Sequence, residues 1–166
     1  MYFNGGKYAT WSRNSGEQLT LHVQFTISLW GWFTGDGTIL SKSYNDFAST
    51  SDSDFLDIYK SGDDLVMDIQ KQSGCELIFS DALASVDTVW QNIGLVVTYD
   101  KSTVTTSVTA YINNVSHGPS TSDAGCLILE EPDSYATLGA RLDGDGASGT
   151  ITNQLTGFIY TICITP

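Results

Sequence analysis

The stretch from Gln24 to Phe33, QFTISLWGWF, is the longest uncharged run of β-branched and aromatic residues in the chain. Alternate residues of a β-strand share a face, which places Phe25 and Leu29 on one face and Trp30 and Trp32 on the other. A strand with bulky groups on both faces is typical of a covered position inside a sheet. The stretch therefore predicts a two-layer structure built around a sheet.

The remainder of the chain repeats this pattern on a smaller scale. Short apolar segments are separated by Gly-, Asn- and Asp-rich turns about every ten residues, and no segment keeps a helical period, which is typical of an all-β sandwich or barrel. The length of 166 residues predicts one domain spanning residues 1–166. The main predicted strands are residues 38–42, 55–59, 65–69, 75–79, 93–99, 108–112, 126–129, 135–139 and 158–164.

The charge balance restricts the partners. The chain has 19 acidic and 7 basic residues, a net charge of −12. Such a surface repels phosphate backbones and anionic lipid headgroups, so the sequence predicts no nucleic-acid partner. No apolar run reaches membrane-spanning length, which predicts no membrane insertion. An acidic surface is compatible with divalent cations and with neutral ligands such as sugars.

The three cysteines, Cys75, Cys126 and Cys163, are too widely spaced to resemble a zinc motif. Their pairing stays open at this stage: one disulfide with a free thiol and three buried thiols are both compatible with the spacing.

An ordered series of motifs resembles the laminin-G-like, or concanavalin A-like, lectin family. The resemblance implies an all-β, two-sheet antiparallel jelly-roll sandwich. That family includes lectins, receptor modules, glycosidases and lyases, so the resemblance is more specific for the fold than for a ligand. The matching pieces are Phe3-Asn4-Gly5, Phe25 to Trp30, Ile39 to Lys42, Trp90 with Val97 to Asp100, Tyr111-Ile112-Asn113, Leu138-Gly139, and Gly157 with Ile159, Ile162 and Ile164.

Sugar recognition requires an exposed aromatic ring beside polar groups, because sugar faces stack on rings while side chains bond to hydroxyls. The resemblance places Trp30 and Trp90 at family core positions, so both are assigned to packing, and Trp32 stays open. The candidate ligand-binding residues are therefore aromatic residues near predicted loops: Trp11, Tyr44, Phe47 and Tyr135.

Calcium is the one cofactor that the sequence suggests. Asp143 and Asp145 alternate with glycine in Leu-Asp-Gly-Asp-Gly, where carboxylates and turn carbonyls could bind Ca²⁺; a plain Asp-Gly turn is the alternative. The resemblance implies an aspartate in the closing strand of the family calcium site, and Tyr160 stands there instead.

No pattern favours catalysis. The four Glu are scattered, Asp54 and Asp57 would lie on opposite strand faces, and no serine has a nucleophile-elbow sequence. His117 is expected in a surface loop. The sequence predicts a non-catalytic module that binds carbohydrate on a cell or virion surface. It could be part of a larger extracellular protein. The alternatives are a laminin-G-type protein-adhesion module and, third, a polysaccharide-degrading enzyme.

Overall fold

The computed structural model describes residues 1–11, 24–43, 55–69, 75–83, 89–126, 135–143 and 150–166. These residues form fourteen β-strands: β1 (Tyr2–Asn4), β2 (Ala9–Trp11), β3 (Gln24–Phe33), β4 (Gly37–Ser43), β5 (Phe55–Ser61), β6 (Asp64–Ile69), β7 (Glu76–Phe79), β8 (Gln91–Asp100), β9 (Thr105–Ile112), β10 (Val115–Thr121), β11 (Tyr135–Leu138), β12 (Arg141–Asp143), β13 (Thr150–Thr152) and β14 (Thr156–Thr165).

Twelve of the strands form two antiparallel six-stranded sheets. The first sheet has the order β1-β14-β3-β8-β9-β10, and the second has the order β2-β11-β4-β5-β6-β7. Strands β12 and β13 form a separate two-stranded sheet. The all-β jelly-roll sandwich predicted from the sequence is confirmed, and within the described ranges no helix is long and apolar enough to cross a membrane.

The core lies between the two sheets and follows the alternation of β3. Phe25, Ile27 and Leu29 are at most 2 % exposed and join one continuous apolar cluster with residues of the second sheet. Burying each such side chain contributes about 1.5–3 kcal/mol. Only the inward side of β3 is buried in this core, and its outward side does not contribute to it.

Gly139 lets the sheets close around the N-terminal strand. Its φ is +80°, and a Cβ atom added there would lie 2.1 Å from the ring of the fully buried Phe3. No side chain fits that space, so the Leu138-Gly139 turn requires glycine.

Cys75 and Cys126 form a disulfide, and Cys163 is free and exposed. Cys75 lies immediately before β7 and Cys126 follows β10, so the bond joins an edge of the second sheet to an edge of the first. The structure thus selects one of the two pairings that the sequence left open.

The strand β10 corrects one prediction. His117 was expected in a surface loop, but it is a half-buried strand residue paired with Ala110. The Asn113-Asn114 hairpin turn, with φ of 51° and 68°, turns the chain directly back into a further strand beside β9. The Gly118-Pro119 sequence suggested a loop, whereas the strand accommodates it at an irregularity in the pairing.

Candidate functional site

Seven aromatic side chains lie on the outward side of the first sheet, which we call the aromatic face. Antiparallel pairing aligns their positions; Trp32, for example, pairs with Phe158, and Tyr111 pairs with Gly94. Several are well exposed: 78 % for Tyr160, 48 % for Tyr2 and 38 % for Trp30. The seven rings belong to Tyr2, Trp30, Trp32, Trp90, Tyr111, Phe158 and Tyr160.

Five of these rings contact each other in a continuous band. Phe158 is at its centre, with ring centroids 4.5 Å from Tyr2, 5.4 Å from Trp32 and 6.1 Å from Trp90. Trp32 stacks on Phe158 with an interplanar angle of 16°, and Tyr160 meets Trp90 edge to face at 6.5 Å. Each such pair is worth about 0.5–1.5 kcal/mol beyond its buried area, so the band is held in a defined shape.

The polar residues of the aromatic face are almost all uncharged. Among the described residues, the pairing places one charged side chain on this side, Asp100 at the far end of β8 from the rings. Trp30 lies between Thr161 and Asn92 on the neighbouring strands. This absence of charge is notable in a chain of net charge −12.

Trp30 and Trp90 do not occupy the core positions that the family resemblance implied, although Trp90 packs within the aromatic band. They are 38 % and 37 % exposed, and both lie on the side of the sheet away from the core. The signal was present in the sequence, because the alternation of β3 places Trp30 opposite Leu29. The core positions that the family resemblance implied for these two residues are therefore wrong. Trp32, whose role the sequence left undecided, is half-buried in the band.

The outward side of the second sheet is different: it carries a row of polar residues in register on five strands. Their alternating neighbours, such as Leu40 and Ile58, are in the core, which fixes the row on the outer side. We call this the polar row. Its members, from one strand to the next, are Thr137, Ser41, Asp57, Asp68 and Glu76.

The centre of the polar row is buried. Thr137, Ser41 and Asp57 are each 1 % exposed, and Thr137 Oγ1 donates a hydrogen bond to the carbonyl of Ala140 at 2.6 Å. The Arg141 guanidinium, on β12, lies 3.8 Å from the Asp57 carboxylate. These contacts attach the β12–β13 hairpin to the second sheet, so the centre of the row performs a structural task.

The outer end of the row is more accessible. The Tyr59 hydroxyl donates to Glu76 Oε1 at 2.5 Å, and burial together with this hydrogen bond raises the pKa of Tyr59, which stays protonated. Burial first and the charge of Glu76 second raise the pKa of Asp68, while Arg141 acts in the opposite direction. Tyr59 and Glu76 thus bond to each other, while Asp68 and Glu76 repel each other across the pair of strands.

Two of the four predicted ligand-binding residues belong to strands of the second sheet. The backbone of Trp11 lies in β2 and that of Tyr135 in β11, and the pairing of Trp11 with Ala136 makes them neighbours at one edge of the second sheet. Tyr44 and Phe47 lie outside the described residues. Their roles stay predictions.

The calcium site also stays a prediction. Asp143 ends β12 and pairs with Thr150, and Asp145 lies outside the described residues. Within the part of the chain that the structure describes, no group of three or more His, Cys, Asp or Glu side chains could hold a metal ion. Tyr160, at the position of the family's closing-strand aspartate, belongs to the aromatic face.

Comparison with known proteins places the fold. The chain is similar to the carbohydrate-binding module CBM40 of the Ruminococcus gnavus IT-sialidase, solved bound to α2,3-sialyllactose (TM-score 0.69, 16% identity, 99% of this chain and 88% of that chain). It is also similar to the SAP-like pentraxin of Limulus polyphemus (TM-score 0.65, 15% identity, 98% and 73%). A third similar structure is the NanB sialidase of Streptococcus pneumoniae (TM-score 0.65, 15% identity, 98% of this chain and 25% of that chain).

No protein-family model and no curated protein sequence matches the chain. The structural similarity shows the fold, a two-sheet jelly-roll sandwich, and the similar structures include a carbohydrate-binding module and a pentraxin. At 15–16% identity these neighbours define the fold, and the ligand must be argued from the residues of this chain.

Proposed function

We propose that the protein is a non-catalytic carbohydrate-binding module and that the aromatic face is its binding surface. The observation that carries the proposal is the exposure of Trp30, Trp90 and Tyr160 together on a nearly uncharged side of the first sheet. A sugar ring would stack on an exposed aromatic ring, and neighbouring amide and hydroxyl groups would bond to its hydroxyls. Asn92 and Thr161, on either side of Trp30, supply those groups.

The backbone around this surface is fixed before any ligand arrives. The amide of Asn92 donates to Asn113 Oδ1 at 3.0 Å, and the amide of Asn113 donates to the carbonyl of Asn92 at 2.8 Å. With the ring contacts around Phe158, these bonds hold the surface in one arrangement, which reduces the entropy lost on binding.

The same proposal includes an extracellular or surface location, as the sequence predicted. The Cys75–Cys126 disulfide supports it, because disulfides persist mainly in oxidising compartments.

The test is a broad glycan array, probed in calcium and again with a chelator. Tyr160→Ala removes a ring that is 78 % exposed, and Tyr8→Ala is the matched control because Tyr8 is also exposed, at 44 %, but precedes β2 of the second sheet. We expect Tyr160→Ala to weaken glycan binding about tenfold, the loss of one stacking contact of about 1.4 kcal/mol. Tyr8→Ala should bind like the wild type.

Binding lost only on chelation would favour calcium at Asp143 and Asp145. Equal weakening by the two Tyr variants would move the site away from the aromatic face. An array without any glycan signal would contradict the proposal.

Protein adhesion is the second candidate, because the aromatic face also has the composition of a protein interface. Such interfaces are rich in Tyr and Trp and poor in charge at their centre. In that case the chain would self-associate or retain a partner, and charge repulsion between copies of net charge −12 would make self-association tighter at high salt. Sedimentation at low and high salt measures this directly. If the protein is a monomer at both salt concentrations and the glycan array is positive, the result would favour carbohydrate binding over protein adhesion.

A further inference from the structure

The charge of the aromatic face indicates the kind of glycan it accepts. Recognition of an anionic sugar, such as one carrying a carboxylate, uses a cationic donor at the site. Among the described residues, the pairing places no Lys or Arg on this face. The net charge of −12 also repels an approaching anion.

Two cations outside the first sheet, Arg141 and Lys60, are already engaged by carboxylates. Arg141 lies 3.8 Å from Asp57 on the second sheet, and Lys60 lies 3.4 Å from Asp36. Neither belongs to the first sheet. An anionic sugar on the aromatic face would therefore lose water without gaining an ion pair, which is unfavourable.

The shape of the face indicates how much of the glycan it contacts. The rings extend across five adjacent strands, from Tyr2 on β1 to Tyr111 on β9. At a strand spacing of about 4.8 Å, the aromatic face is roughly 19 Å wide across these strands. One sugar ring covers only part of such a face, and a chain of several sugars would contact Tyr160, Trp30 and Tyr111 in turn.

We propose that the ligand is an uncharged glycan chain of several sugar units that lies across the strands of the first sheet. This inference rests on the proposed carbohydrate function and adds the ligand's charge class, size and direction. It differs from the sialyllactose bound to the CBM40 structure, which carries a carboxylate.

The first experiment measures affinity for a neutral oligosaccharide series of increasing length and for a sialylated trisaccharide. We expect affinity for the best neutral sugar to rise at least tenfold from the monosaccharide to the tetrasaccharide. The sialylated sugar should bind at least tenfold more weakly than a neutral sugar of equal length. Equal binding of monosaccharide and tetrasaccharide, or preference for the sialylated sugar, would overturn this inference and leave the carbohydrate function standing. Failure of every sugar would overturn both.

The second experiment adds a cation to the face. Thr161→Lys places an ammonium beside Trp30, and Thr10→Lys is the matched control because Thr10 is also exposed but lies on β2 of the second sheet. We expect Thr161→Lys to improve binding of the sialylated sugar severalfold and Thr10→Lys to leave it unchanged. The same gain in both variants would mean that net charge, rather than the face, controls selectivity, and would contradict the inference.

Discussion

The outer sides of the two sheets use opposite kinds of side chain. On the second sheet the polar row is buried at its centre and engaged by Arg141, so its groups hold the β12–β13 hairpin. On the first sheet the rings contact one another, yet Tyr160 and Trp30 keep much of their surface exposed. Polar groups are therefore buried on the outer side of the second sheet, while aromatic groups stay exposed on that of the first. From residue type alone one would expect the polar groups to be exposed and the aromatic groups to be buried.

The largest expected effect is a loss of stability when the ion pair at the centre of the polar row is removed. Asp57→Asn leaves the largely buried Arg141 without its charged partner, which should lower the free energy of unfolding by about 3 kcal/mol. Asp63→Asn is the control: Asp63 is exposed in the turn between β5 and β6, so its replacement should cost less than about 0.5 kcal/mol. Urea denaturation measures both. Similar values for the two variants would argue against a structural role for the row.

The next effect distinguishes the centre of the aromatic band from its rim. Phe158→Ala removes a half-buried ring that contacts Tyr2, Trp32 and Trp90, so we expect a loss of about 2 kcal/mol of stability. Tyr160→Ala should cost less, about 0.5–1 kcal/mol, because the mostly exposed side chain loses only its contact with Trp90. Thermal unfolding compares the two. A large loss from Tyr160→Ala would indicate packing and weaken the binding proposal.

The third prediction concerns glycan affinity, for which we expect a variant on the aromatic face to have a larger effect than a variant in the polar row. Trp30→Ala should weaken binding about tenfold, since a lost stacking contact is worth about 1.4 kcal/mol. Glu76→Gln, at the outer end of the polar row, should leave affinity within a factor of two. Isothermal titration with the best glycan provides both values, and equal losses would mean that both faces contact the ligand.

The smallest effect concerns pH. Burial raises the pKa of Asp68 above its unfolded value of 3.8, so the folded state holds this proton more tightly. The resulting stabilisation is present below pH 3.8 and is lost as the pH rises through the folded pKa. Asp68→Asn should remove this slope and, at pH 7, raise stability by less than about 1 kcal/mol. Urea midpoints from pH 3 to 7 would show the same slope in both proteins if Asp68 were unimportant.

The sequence was informative where physical patterns are local. Alternation predicted that Phe25 and Leu29 share a face of β3, and turn residues predicted the hairpin at Asn113-Asn114. Local pattern did not predict the strand β10, because Gly118 and Pro119 are loop formers that this pairing nevertheless accommodates. Local pattern also could not predict the disulfide partner of Cys75, because Cys126 comes close to it only when the two sheets pack together.

The aromatic face was predictable in part. Alternation placed Trp30 and Trp32 on the side away from Leu29, but the bulky groups on both faces favoured a covered strand, whereas Trp30 is 38 % exposed. Phe158 follows Trp32 by 126 residues and Tyr160 follows Trp90 by 70 residues, so these rings meet only when β14 and β8 both pair with β3. The sites proposed at Trp11, Tyr135 and Asp143 remain to be tested.

The disulfide has a consequence for how the protein responds to proteases. Cys75 and Cys126 have a sequence separation of 51 residues, and the loop that they enclose contains β7 to β10. A single peptide-bond cleavage anywhere inside that loop would leave the two fragments covalently joined. The nicked protein would migrate as one species until it is reduced, and the joined fragments could keep the strands of both sheets together after the cut.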